Sequence, residues 1–462
     1  MEIDNLVKTQ RKYYLTNETL DITFRKIQLK KLKDAIINHE EDLMEALLKD
    51  LGKSGSESYF AEIGITLKEI SFMEKNLKRL MRNKKVRTSI KDFPAKSFIS
   101  PHPYGVVLVM SPWNYPVMLS FCPLIGAISA GNTCVVKPSE FSVNTSIVID
   151  KIIKDTFDPK YVACVTGGVE VSQKVLNNKY DYIFYTGGKV VGRIVMEKAA
   201  KYLTPISLEL GGKSPCIVDE TSNIKVAAKR IAFGKYLNAG QTCVAPDYLY
   251  IHESVKDEFM KHFKLSLKET FTENPIDSEN LGKIINQKHF DRLSGLLKNQ
   301  KVLVGGTTYP ELLKIEPTVL EKITHENIIM QEEIFGPILP VLTYSNLDNV
   351  ISYINQQPNP LALYLFTSKK PIVSKILNSC NFGGGCINDT IMHVASETLP
   401  FGGVGESGMG NYHGRASFET FSHYRSIMKK ETWLDLPVRY APYTKFKDKI
   451  IKLFMRWSNE NI

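Results

Sequence analysis

Over the first 90 residues apolar positions recur at helical spacing. Leu29, Leu32, Ile36, Ile37, Leu43, Leu47 and Leu48 stand among charged neighbours, which predicts amphipathic helices. After Pro94 the pattern changes to short, nearly unbroken apolar runs. Tyr104–Met110, Thr133–Val136, Tyr161–Val165 and Asp181–Tyr185 each read as a buried strand. Helical segments alternate with them: Pro123–Ala130, Ile147–Asp155, Val171–Leu176 and the stretch from Gly187-Gly188 to Ala200. That alternation predicts an open parallel α/β sheet. A second α/β segment begins near Gly211, with a strand at Ser214–Val218 and a helix at Ile224–Leu237. Further strands follow near Asp247–Ile251 and Ile338–Tyr344, and residues 423–433 read as an edge strand. No internal repeat is visible.

Composition narrows the class. A chain of 462 residues is long enough for roughly three domains. Hydrophobic residues at 43% and charged residues at 23% exclude a disordered, collagenous or coiled-coil chain. The net charge is +10, and the last 38 residues hold nine basic against four acidic side chains. No zinc-finger or RNP motif accompanies that surplus, so no nucleic-acid partner is expected. Seven cysteines, an odd number without a C-x-x-C pair, read as free thiols in a reducing compartment. The nine histidines form no H-x-x-x-H or H-E-x-x-H pair, so no metal site is expected. The polar start MEIDNLVKTQRK is no secretory signal. The longest apolar run, Val117–Ala130, falls short of the ~20 residues of a membrane span. A cytoplasmic location is the expectation.

Several motifs can carry chemistry. Gly403-x-Gly405-x-x-Gly408 matches a dinucleotide fingerprint, but no strand precedes it and no helix follows, so a glycine-rich loop crossing a pocket is preferred. Gly187, Gly188 and Gly192 follow a strand and open a helix. Such a turn either cradles a pyrophosphate or is a simple tight turn. Lys137 and Glu140 stand at a strand's carboxyl end, either holding ribose hydroxyls or facing solvent. Cys243 follows Asn238-Ala-Gly-Gln-Thr, small and polar neighbours that permit the exposure a nucleophile needs. Glu209, flanked by leucines and followed by glycines, is either a semi-buried general base or a paired structural carboxylate. Asn114 lies in the stiff loop Ser111-Pro-Trp-Asn-Tyr-Pro116, as an oxyanion donor or a turn former.

Six motifs together resemble the aldehyde dehydrogenase superfamily. They are Pro112-Trp-Asn-Tyr-Pro116, Lys137-Pro-Ser-Glu140, Glu209-Leu-Gly-Gly-Lys213, Gly240-Gln-Thr-Cys243, Glu332-Glu-Ile-Phe-Gly-Pro337 and Pro400-Phe-Gly-Gly403. They occur in family order, and the likeness covers about residues 20–430. Tyr115 stands where the family often has Phe. The short N-terminus and Tyr412-His413-Gly414 resemble the class 3 branch, which handles fatty and aromatic aldehydes and includes bacterial members acting on carotenoid ones.

The resemblance implies a Rossmann-like cofactor domain (1–81 and 104–210) and an α/β catalytic domain (211–420). A β oligomerisation arm (82–103 and 421–436) would link two copies into a homodimer, and a basic tail (437–462) would follow. It implies NAD or NADP as hydride acceptor, with NAD favoured because Glu140 repels a 2′-phosphate. Cys243 would be the nucleophile, Asn114 an oxyanion donor and Glu209 the base that activates water against a thioester. Trp113, Lys137, Glu140, Thr186, Gly187, Gly188, Gly192, Leu210, Glu333 and Phe335 would bind the cofactor. Asn388 would help order the pocket.

Three alternatives compete. A coenzyme A-acylating enzyme would need no water-activating Glu209. A thiol hydrolase would leave Lys137, Glu140 and Glu333 without a job. A non-catalytic protein keeping the fold would have no reason to hold Cys243, Glu209 and Asn114 together. In the tail, Phe446, Ile450, Leu453, Phe454 and Trp457 fall on one helical stripe among Lys445, Lys447, Lys449, Lys452 and Arg456. A basic amphipathic helix of this kind either lies in a membrane interface or docks on the enzyme's own surface beside the substrate tunnel.

Overall fold

Val106–Met110, buried along its whole length, forms the middle of a six-stranded sheet. The order is Gly408–Met409, Ile206–Glu209, Tyr182–Thr186, Val106–Met110, Thr133–Lys137 and Val162–Cys164. Five strands are parallel and Gly408–Met409 runs antiparallel at the edge. Parallel strands this apolar need cover on both faces. Helices Ile3–Tyr14, Ile22–Asn38, Gly64–Leu80, Pro116–Ala130, Val143–Thr156 and Lys189–Ala200 pack around them. The computed structural model describes residues 2–457, the Trp457 side chain excepted. Residues 458–462 lie outside that description.

A second, seven-stranded sheet has the order Lys301–Val304, Thr318–Glu321, Ile338–Tyr344, Tyr248–His252, Pro215–Val218, Ala362–Phe366 and Gly384–Ile387. All are parallel except Lys301–Val304. The arm is a three-stranded antiparallel sheet of Lys84–Val86, Ala95–Pro103 and Ser422–Lys430. In it Ser422 pairs with Pro103 and Lys430 with Ala95. The α/β architecture is therefore a Rossmann-like sheet, a second α/β sheet and a separate β arm.

Several local expectations are corrected. The first 90 residues are not helical throughout: Lys84–Val86 is an exposed strand, because the cationic stretch after Leu80 has no apolar face to bury. The helix expected from Pro123 begins at Pro116 and carries Pro123 inside it. Pro116 sits in the first turn, where a missing N–H costs nothing, so the earlier proline is the start signal. The glycine-rich run 403–408 ends in a short strand that the sequence did not announce, Gly408 pairing with Glu209 at the edge of the first sheet. Ile206–Glu209, Thr318–Glu321, Ala362–Phe366 and Gly384–Ile387 are strands with no apolar run long enough to announce all of them. Gly384–Ile387 is one because Gly385 lets the chain approach Leu363, whose carbonyl oxygen a Cβ would strike.

Candidate active site

In open parallel sheets, side chains at the carboxyl ends of strands converge on one crevice. Here Met110 leads into the loop Ser111–Tyr115, Lys137 and Thr186 end their strands, and Glu209 is the last residue of its own. Opposite them the helix Ile224–Tyr236 breaks into a tight turn. Asn238, Ala239 and Gly240 are all left-handed, at φ 54°, 51° and 71°. Such conformations cost roughly 1–3 kcal/mol each for non-glycine residues and mark functional turns. At Gly240 a Cβ would strike the Gly336 carbonyl oxygen, so the family-like glycine is sterically required. Cys243 follows, partly buried.

Hydrogen bonds fasten this turn to the Asn114 loop. Asn114 Nδ2 donates to the Gln241 carbonyl at 3.0 Å, and Asn238 Nδ2 donates to the Asn114 carbonyl at 2.8 Å. Tyr115 Oη and Thr242 Oγ1 lie 2.6 Å apart. An amide nitrogen carries two hydrogens, so Asn114 keeps one for a ligand.

Cys243 separates two cavities. On one side is a cleft of about 730 Å³. Its walls include Trp113, Asn114, Thr186, Gly187, Gly188, Glu209, Leu210, Glu333 and Phe335. On the other is a narrow apolar channel of about 70 Å³. Phe60, Leu119, Leu237, Ile391, Met392 and Phe401 are among the residues that line it.

Most of the expected site residues thus meet in the first cleft. Lys137 and Glu140 stand at its flank rather than in its wall, paired at 3.6 Å, with Lys137 Nζ also donating to the Pro138 carbonyl at 2.8 Å. Gly192 is buried in its helix, where a Cβ would crowd Leu210. Asn388 lies apart, donating to the Thr367 carbonyl and accepting from the Thr367 amide, both at 2.9 Å. It ties two strand ends together.

The cleft fits a dinucleotide. The helix Lys189–Ala200 has no side chain capping its N-terminus, so its free N–H groups and dipole face the cleft as an anion site. A Cβ on Gly188 would meet open space. The Glu333 carboxylate lies against Gly211. Its loop is held by Lys213, which donates to the Ile329 and Glu332 carbonyls at 2.9 and 2.8 Å and pairs with Asp247. Trp113 stacks obliquely on His289 and meets Phe335 edge-on, at 5.2 and 5.4 Å between centroids. His289 and Arg292 also face the cleft. Neither was legible beforehand, since a charged helix face carries no local mark of what it covers.

Burial dominates the electrostatics. Glu209 is buried, neither carboxyl oxygen has a hydrogen-bond partner among the described residues, and burial holds its pKa well above the carboxylate range. Burial also pushes Glu333 up to about 8, with Asp247 adding to the shift. The Cys243 thiol is raised by burial first, then by Glu333 and Glu209, while backbone N–H groups oppose the shift. Desolvation disfavours every charged form here.

A profile of the aldehyde dehydrogenase family matches residues 1–427. The chain belongs to that family. It is 50% identical over 446 residues to the 4,4'-diaponeurosporen-aldehyde dehydrogenase of Staphylococcus aureus, covering 96% of this chain and 97% of that one. It is 43% identical over 456 residues to aldehyde dehydrogenase family 3 member H1 of Arabidopsis thaliana, covering 98% and 94%. Among solved structures, the substrate-bound state of Staphylococcus aureus AldH superposes with a TM-score of 0.96 at 49% identity, covering 98% and 99%. This aldehyde dehydrogenase is therefore an oxidoreductase that converts an aldehyde to the carboxylic acid with NAD(P), through a catalytic cysteine and a thioester.

The raised thiol pKa predicts how Cys243 reacts in the free enzyme. Thiolate is the reactive form, and a raised pKa means that thiolate appears only as pH rises. Carbamidomethylation of Cys243 by iodoacetamide, followed by peptide mass spectrometry, should accelerate about tenfold per pH unit between pH 7 and 9. A rate already flat above pH 6 would contradict the burial argument.

Proposed function

We propose that this enzyme oxidises apolar aldehydes, fatty or aromatic, belongs to the class 3 branch, and prefers NAD. The observation that carries the reading is that Cys243 lines two cavities: a wide cleft in which Glu209, Glu333, Lys213 and Arg292 stand among apolar side chains, and a narrow channel walled almost wholly by apolar side chains. A substrate entering that channel loses its water, which favours apolar chains. The relatives named for family 3 and for 4,4'-diaponeurosporen-aldehyde support the same class. NAD preference rests on Glu140, whose carboxylate disfavours a nearby 2′-phosphate.

The nicotinamide cofactor supplies the hydride acceptor, for which Trp113, Thr186, Gly187, Gly188, Leu210, Glu333 and Phe335 form the walls, Gly192 the close helix packing, and Lys137 with Glu140 the flank. Cys243 as thiolate adds to the carbonyl carbon, and the negative charge moves to oxygen. Asn114 Nδ2 and the Cys243 backbone N–H donate to that oxyanion. Its collapse expels hydride and leaves a thioester on Cys243. Glu209 then takes a proton from water, which hydrolyses the thioester. An unpartnered carboxyl is free to turn toward that water. Such a base favours hydrolysis over acyl transfer to coenzyme A.

The arm supports a homodimer. Ser422–Lys430 is the outer strand of its sheet and largely exposed. Long exposed edges pair with another chain. The tail supports a peripheral contact with an anionic membrane. Its helix, Lys445–Trp457, leaves Phe446 72% and Leu453 69% exposed, with cations beside them, which favours that contact over docking of the stripe on the enzyme's own surface. One contact with the arm is Lys91 against Met455. No helix among the described residues is long and apolar enough to cross a membrane.

Cys243→Ala should abolish dehydrogenase turnover while leaving NAD affinity nearly unchanged; more than trace turnover would remove Cys243 as nucleophile. Glu209→Gln should still give a rapid-mixing burst of reduced cofactor, then stall as thioester. A lost burst would move Glu209 to an earlier step.

Deleting residues 443–462 should leave short-chain aldehyde oxidation nearly unchanged and weaken turnover of long-chain aldehydes. The intact enzyme should pellet with anionic vesicles in a salt-sensitive way, and the truncated one should not. Equal loss on short and long aldehydes would make the tail part of the folded core.

A further inference from the structure

Beneath the Asn114 loop lies an ion pair that belongs to none of the motifs above. Lys53 and Glu62 are both 0% exposed, with Lys53 Nζ donating to Glu62 Oε1 at 2.6 Å. Gly52, left-handed at φ 67°, closes the helix Glu40–Leu51 and turns the chain toward Lys53. Glu62 stands on a single π-turn, Tyr59–Ile63, a feature frequent at functional sites.

The two side chains do different work. Glu62 Oε2 accepts from the backbone N–H of Val117 at 2.8 Å and of Met118 at 3.4 Å. It caps the helix Pro116–Ala130, whose own N-cap residue offers no side-chain bond, and its charge suits the helix dipole. Capping explains Glu62 but does not require Lys53. Lys53 Nζ has a second bond, to the Asn114 carbonyl at 2.9 Å, and sits 4.0 Å over the Tyr115 ring. Asn238 Nδ2 occupies the same carbonyl. With both donors in place, the peptide plane between Asn114 and Tyr115 is held from two directions, and the Asn114 side chain is aimed by its own backbone.

Burying an ion pair removes two charges from water, and apolar replacements are often as stable or more so. Stability is thus a weak reason for a lysine at this depth, whereas orientation of a carbonyl is a specific one. We propose that Lys53, held in place by Glu62, is a positioning residue for the hydride-transfer step, setting the Asn114 amide where the oxyanion forms. The proposal rests on the reading of Asn114 as the oxyanion donor.

Four variants test it by stopped-flow appearance of reduced cofactor with NAD and saturating aldehyde: Lys53→Met, Lys53→Met/Glu62→Leu, Asn114→Ala and Lys53→Met/Asn114→Ala. Lys53→Met should slow the burst about 10- to 100-fold, the scale of a small misplacement of a catalytic group. The KM for aldehyde, the Kd for NAD and the alkylation rate of Cys243 should stay within about twofold, because Lys53 itself lines neither cavity. Lys53→Met/Asn114→Ala should be no slower than Asn114→Ala, because one residue acts through the other. A merely structural role would instead give losses that multiply. Should Lys53→Met not fold, Lys53→Met/Glu62→Leu, which leaves no unpaired charge, takes its place and should be folded yet slow. A wild-type burst in the Lys53 variants beside a slowed Asn114→Ala overturns the proposal alone. A wild-type burst in Asn114→Ala overturns the oxyanion reading and the proposal with it.

Discussion

The backbone carbonyls of Asn114 and Gln241 join the two halves of the site. Each sheet satisfies its own backbone internally, so nothing in the strand ladders dictates how the loop after Met110 meets the turn after Tyr236. That relation is set by Asn114 Nδ2 reaching Gln241, by Asn238 Nδ2 reaching Asn114, and by Gln241 Nε2 donating to the Lys283 carbonyl at 3.0 Å. Buried carbonyls without donors would be costly, and the left-handed residues Asn238 and Ala239 add strain. The network offsets both and places a thiol beside an amide.

The same burial that organises the site complicates its charges. Glu209, Glu333 and Cys243 are all displaced toward their neutral forms by burial, and the two carboxylates further disfavour the Cys243 thiolate. Both carboxyls and the thiol thus rest uncharged in the free enzyme. Glu209 differs from them in that neither carboxyl oxygen has a hydrogen-bond partner among the described residues, which suits the base role proposed for it. Glu333, by contrast, is tied through its loop to Lys213, Asp247 and Arg292.

Two cavities meet at one sulfur. The cleft draws its walls from strand ends and from glycines that bring backbone close, while the channel draws its walls from the π-turn, the Leu237 turn and the loop after Asn388.

The sequence by itself determined the alternation of buried strands and helices, because uninterrupted apolar runs tolerate only a covered parallel sheet. It also marked Cys243, Glu209, Asn114 and the Glu333 loop, since these residues sit in motifs whose glycines and prolines restrict the backbone. Strands such as Gly384–Ile387 were not legible, because pairing with Leu363, and not local propensity, makes them strands. Lys53 and Glu62 were silent for a related reason. A lysine and a glutamate nine residues apart near helix ends look solvated, and only tertiary packing removes their water and turns one toward Asn114. The channel, assembled from segments far apart in the chain, has no sequence pattern at all: hydrophobic contact is non-directional, and only the fold decides which apolar side chains share a wall.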